Sequence, residues 1–159
     1  FTDGEECGEN GVTSQGAFEL AKVFKKLNII DDDIFVFDCM GRGKVPCICN
    51  VNVPKSAPIV FKRRLNNLEQ KVSGIISNIT KEKCYKINSN YSDNASFLAN
   101  GIPAVCITML PYMELYEYVN LNKIPLTWKL LHSPYDNFDN ISNNSSHIFF
   151  KLLTEILNI

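Results

Sequence analysis

The sequence predicts an α/β fold, a central sheet covered by helices on both faces. Three observations carry this reading. Short apolar runs bounded by turn residues alternate along the chain with longer segments whose apolar residues recur three and four apart. Strands that alternate with helices in this way build an open sheet with helical layers. No repeat, low-complexity tract or linker interrupts the pattern, so residues 1–159 are expected to form a single domain.

The first helix is expected over residues 14–27, where Ala17, Leu20, Ala21, Phe24 and Leu27 share a face and Ser14 is placed to cap it. The acidic turn at residues 31–33 leads into IFVFD (34–38), a β-rich run ending on a carboxylate. VPCICNVNV (45–53) reads as the next strand. A long helix follows over 58–79, with Pro58 at its start and a stripe of Leu65, Leu68, Val72, Ile75 and Ile79. Then come a strand at CYKIN (84–88), a short helix over 95–100, and a buried strand at PAVCITML (103–110). Gly101 stands where a helix C-cap glycine belongs. The last helix is expected over 145–158, through Ile148, Phe149, Leu152, Leu153 and Ile156.

Composition excludes several classes of function. A hydrophobic fraction of 45% with 21% charged residues is that of an ordinary globular chain. The net charge of −1 gives no reason to expect nucleic acid or anionic lipid as a partner. No apolar run approaches the roughly 18 residues of a membrane span. Heavy use of Asn and Ile reads as codon bias of the source. The chain opens on Phe, as a fragment or processed product would, and Phe1-Thr2 reads as the end of a strand. Its six cysteines mostly sit inside apolar stretches and are expected to be reduced, buried thiols. Cys47-Ile-Cys49, with one intervening residue and no second pair, makes a poor zinc knuckle. No targeting signal is visible, and a soluble, cytoplasmic chain is the expectation.

Chemistry-bearing residues fall just after the expected strands or in loops: Glu5-Glu6, Asp38, Asp93 and His132. Ligands of open α/β sheets bind at strand C-terminal ends and in the loops beyond them. Two adjacent glutamates between Gly4 and Gly8 suit a division of labour, one binding a metal while the other serves as general base. Asp38 precedes a GRG turn that bends the backbone away. Each also has a plain reading: a solvated Glu pair, a turn-forming Asp, a satisfied histidine. His147, opening the last helix, is assigned to that plain reading.

Taken in order, FTDGEECGENGVTSQGAFELAK, VFDCMGRG, SDNASFLANGIPAVCI and LLHSPYDNFDNI resemble the co-catalytic zinc aminopeptidase family, which also holds glutaminyl cyclases and transferrin receptor ectodomains. The resemblance covers residues 1 to about 141. It implies an α/β three-layer sandwich with a mixed, mostly parallel central sheet, here without its N-terminal strands. It implies Glu5 as general base, Glu6 and His132 as ligands of one zinc and Asp38 as ligand of the other. Ser92 and Asp93 match a segment that supports the site, and Asp136 is placed to support the His132 loop.

The chain departs from the family's pattern at three points. Asn94 stands where a bulkier His or Tyr is usual. Leu131 precedes His132 where some members keep a Tyr nearby, which leaves Tyr112, Tyr116 and Tyr135 without a role. The family's His-x-Asp motif, which supplies one histidine and the bridging aspartate, would come before Phe1.

The expected function is therefore a zinc-dependent aminopeptidase-type hydrolase acting on peptides, with two zinc ions in the complete site and partial or no occupancy in these residues alone. A non-catalytic binding or structural domain is the alternative, and a single-zinc cyclase a third reading. A homo-oligomer is compatible with the sequence. Glu5, Glu6, Asp38 and His132 are expected to converge at one edge of the sheet.

Overall fold

Four strands form one mixed, mostly parallel sheet in the order β1-β4-β2-β3, in a computed structural model that describes residues 16–30, 32–50, 52–89 and 92–158. The strands are β1 (Ile34–Phe37), β2 (Val45–Asn50), β3 (Tyr85–Asn88) and β4 (Ala104–Leu110). The described helices are α1 (Gly16–Lys26), α2 (Ile59–Thr80), α3 (Asn94–Ala99), α4 (Tyr112–Leu121), α5 (Leu126–Leu130) and α6 (Asn143–Leu157), with a 3-10 turn at Phe138–Asn140. The α/β sandwich expected from the alternation is the fold observed.

Burial follows position in the sheet. β4 is an interior strand and buries every residue, which is why its sequence is apolar except at Thr108. β2, also interior, buries residues 46–49. The edge strands differ: β1 is only half-buried throughout, and β3 buries Ile87 alone.

By internal contacts the chain divides into two compact units, and each strand contributes residues to both. The first comprises Phe1–Val36, Cys49–Gln70 and Asn88–Cys106. Its core gathers Ala17 and Ala21 of α1 with Phe97 of α3, Ile102 and Ala104, and Phe24 meets Phe97 edge-on at 5.9 Å between ring centroids. Both helices end in the same way. Asn28 (φ 58°) and Gly101 (φ 79°) turn left-handed. The next amide then reaches back to a carbonyl one turn below, Ile29 to Phe24 at 2.8 Å and Ile102 to Phe97 at 3.0 Å. Gly101 thus does what its place in the sequence predicts.

The second unit comprises Phe37–Ile48, Lys71–Ile87 and Ile107–Ile159. Its core holds Cys47, Ile87, Leu110 and Leu115, with Tyr118 and Trp128 packed against them and edge-on to each other at 5.1 Å between ring centroids. Phe37 meets Phe149 of α6 at 5.2 Å.

Several element expectations are corrected. α4 and α5 were not anticipated, because Tyr112, Met113, Tyr116, Val119 and Leu121 remain exposed and Leu115 alone is buried on α4. Apolar residues on all sides of a helix blur the period that would reveal it. In α2 the buried stripe runs Leu65, Leu68, Val72 and Ile76, while Ile75 and Ile79 are half-buried. β2 ends at Asn50, short of residue 53, and the expected Ser14 cap lies outside the described residues.

Candidate functional site

Asp38 directly follows β1. Its amide still donates to the Ile107 carbonyl at 3.0 Å, so the ladder to β4 runs on to the residue that would carry the ligand. Its carboxylate Oδ1 accepts from the Cys39 thiol at 3.3 Å. Cys39 then turns left-handed (φ 54°), a conformation that costs a non-glycine residue about 1–2 kcal/mol.

His132 follows α5 and is itself left-handed, with φ 57°. The turn beyond it is closed by bonds among its own residues. Asp136 N–H donates to the Ser133 carbonyl at 2.9 Å, and His132 N–H reaches Asp136 Oδ2 at 3.4 Å, a weak bond by length. Asp136 therefore touches the loop it was expected to support. Of the five left-handed non-glycine residues described, Asn28, Lys81 and Asn122 follow helix ends, Cys39 adjoins Asp38 and the fifth is His132 itself; such strain gathers at functional loops as well as at turns.

The two loops lie in the same unit and are bonded to each other through the Gly41-Arg42-Gly43 tripeptide. Ser142 N–H donates to the Gly41 carbonyl at 2.8 Å, and the Ser145 hydroxyl donates to the Gly43 carbonyl. Arg42 Nη1 donates to Asn140 Oδ1 at 3.4 Å, and Nη2 lies 3.8 Å from Glu114 Oε1. Sequence reading took GRG only as a turn. The signal it passed over was a long cation between two glycines, a side chain free to reach out of a loop pinned on either side.

The Ser92–Asn94 segment lies in the first unit. The buried Ser92 hydroxyl donates to Cys106 Sγ at 3.0 Å. Asp93 stands at the N-cap of α3 without a side-chain capping bond, and Asn94 is buried with its Nδ2 unpartnered among the described residues. Tyr112, Tyr116 and Tyr135 are all more than half exposed, at 57%, 51% and 66%.

Glu5 and Glu6 lie outside the described residues. Among the described residues no three His, Cys, Asp or Glu side chains gather into a group able to hold a metal. Asp38 and His132 fit zinc in kind, since carboxylate and imidazole are both ordinary zinc donors. In number they fall short of the roughly three protein ligands a catalytic zinc takes. The five described cysteines are free thiols, four of them buried; Cys7 lies outside the described residues. Among the described residues no helix is long and apolar enough to cross a membrane.

The family model of peptidase family M28 matches residues 1–157. The fold is similar to that of the LapA aminopeptidase of Legionella pneumophila, with a TM-score of 0.63 and 16% identity over 92% of this chain. The chain spans 35% of that protein's length. Among curated proteins none matches by sequence.

Proposed function

The chain belongs to peptidase family M28, and on that premise we propose that it carries part of a zinc-dependent aminopeptidase-type hydrolase acting on peptides. One observation carries the reading. The Asp38 loop and the segment running on from His132 are bonded to each other within one unit, although Gly41 and Ser142 are far apart in sequence.

In this reading Glu6 and His132 hold one zinc and Asp38 the other. Zinc, when bound, supplies a Lewis acid that polarises the scissile carbonyl and makes water a nucleophile near neutral pH. Glu5 takes a proton from the attacking water and returns it to the leaving amine, as a general base must if the amine is to depart neutral. β4 and the Leu110–Lys44 bond of 3.2 Å hold the far end of the Asp38 loop, so the carboxylate is set by the sheet and not by the loop alone.

Ligand count sets the expected behaviour. Two donors for one ion and one for the other make zinc binding by the 159 residues weak and turnover slow. The same count favours the second reading, a binding domain on the same scaffold, since fold alone does not dictate function. Zinc content and hydrolysis of aminoacyl amides decide between them, measured on the chain alone and on the chain extended by a segment carrying His-x-Asp ligands. The hydrolase reading expects both to rise on extension, and Glu5→Gln then to abolish turnover while zinc stays bound. Zinc that binds with turnover indifferent to Glu5→Gln would leave the binding-domain reading standing.

A further inference from the structure

We infer that Arg42 is a positioning residue: its guanidinium locks the loop bearing Asp38 onto both chain flanks of His132. The inference rests on the proposed reading of those two residues as metal ligands.

The argument begins with what the other contacts of the loop do. Residues 38–44 leave β1 and enter β2 with glycines at 41 and 43. Their backbone is held by Ser142 N–H on Gly41, the Ser145 hydroxyl on Gly43, and the Lys44 amide on Leu110. Those bonds do not depend on the side chain at 42. They dock the loop on the start of α6, ten residues beyond His132, and on the end of β4, but none of them touches the chain that enters His132.

Arg42 adds one contact on each side of His132 along the chain. One arm ends on Asn140, whose Nδ2 donates to the Tyr135 carbonyl at 2.8 Å and so closes the segment that follows His132. The other faces Glu114 of α4, whose second oxygen accepts the Thr127 amide at 2.8 Å near the start of α5. α5 ends at Leu130, just ahead of His132. The cation on the Asp38 loop is therefore tied to the chain entering His132 and to the chain leaving it.

The chemistry of the residue suits this task better than it suits packing. The Arg42 and Glu114 side chains are only 26% and 15% exposed, so solvent screens the pair less than it would on the surface. Arg42 Nε is buried without a partner among the described residues, a cost that an apolar side chain of similar length would avoid. A forked guanidinium can serve two acceptors on different segments, and the single ammonium of lysine cannot hold both in fixed geometry.

The test compares Arg42→Met, Arg42→Lys and Asn140→Ala with the parent chain by amide hydrogen exchange and by cobalt(II) titration with its visible absorption. Asn140 is exposed, so Asn140→Ala removes one arm even if Arg42→Met fails to fold; it also removes the Asn140–Tyr135 bond, so Arg42→Lys, which keeps that bond, isolates the guanidinium. Arg42→Met and Asn140→Ala are expected to speed exchange over residues 131–142 about tenfold, with Arg42→Lys in between and α1 unchanged. Cobalt affinity is expected to fall in the same order. Unchanged exchange over 131–142 in Asn140→Ala and Arg42→Lys would overturn the lock. Faster exchange with cobalt affinity unmoved, in a chain that does lose cobalt on Asp38→Ala, would overturn the positioning role. If neither Asp38→Ala nor His132→Ala affects cobalt, the metal reading has failed on its own, and positioning of ligands falls with it. The exchange data still decide whether Arg42 joins the two segments.

Discussion

The backbone of Gly43 passes so close to Leu110 that a Cβ on Gly43 would lie 2.3 Å from the Leu110 carbonyl carbon and 2.4 Å from its nitrogen. That approach lets the Lys44 amide meet the Leu110 carbonyl and brings the end of the Asp38 loop down onto β4. The neighbour is strand backbone, which cannot rotate aside. Gly43→Ala is therefore expected to cost about 3 kcal/mol, the upper end of what overpacking costs. Gly41→Ala, whose Cβ would meet only Ile141 Cγ1 at 3.4 Å, is the control and should cost little. Denaturant midpoints at unchanged slope check both.

Gly101 presents the opposite case. A Cβ there would meet nothing within 4 Å, yet its φ is +79°. The cost of Gly101→Ala is then conformational alone, about 1 kcal/mol, and Gly101→Asn should recover part of it. A loss as large as that of Gly43→Ala would show that crowding had been missed.

These positions also show how far the sequence could be read. Gly101 was legible because a glycine between a helical stripe and an apolar run has few other uses. β4 was legible because an interior strand, buried on both faces, draws apolar residues at nearly every position, Thr108 being its one polar residue. α4 was not, since its exposed Tyr112, Met113, Tyr116, Val119 and Leu121 blur the polar face that Glu114, Glu117 and Asn120 would mark. Asp38 and His132 stood out as residue types at strand ends and in loops. Arg42 did not, because its role depends on Asn140 and Glu114, partners that no local pattern places beside it.

The thiols offer a test of burial. Cys84 is pushed up from its ordinary 9.0 chiefly by burial, with hydrogen bonds from Ser73 and the Ile48 backbone and the charge of Lys86 pulling the other way. A raised thiol favours the neutral form, so this group's stabilisation is whole below pH 9.0 and is lost as pH climbs through the higher folded value. Cys84→Ser should flatten that alkaline loss. In native protein at neutral pH, Cys39 is half-buried and should alkylate first among the five described cysteines, with Cys47, Cys49, Cys84 and Cys106 reacting only as the chain opens. Peptide mass spectrometry after brief alkylation reads the order, and early labelling of Cys47 or Cys106 would contradict it.

His132 can be separated into the imidazole it carries and the backbone it occupies. Its φ of 57° strains any residue with a Cβ, by about 1–2 kcal/mol. His132→Ala removes the imidazole and keeps the strain; His132→Gly removes both. The glycine variant is therefore expected to be more stable than the alanine variant by about 1 kcal/mol, less whatever freedom glycine restores to the unfolded chain. If His132 serves only to shape the loop, both variants should hold zinc as the parent does. If it is a ligand, both should lose affinity by more than the roughly 10–100-fold that removal of a supporting partner costs, the more stable glycine variant no less than the other. Stability and zinc affinity moving in opposite directions between parent and His132→Gly would mark a residue kept in a strained conformation for what its side chain binds.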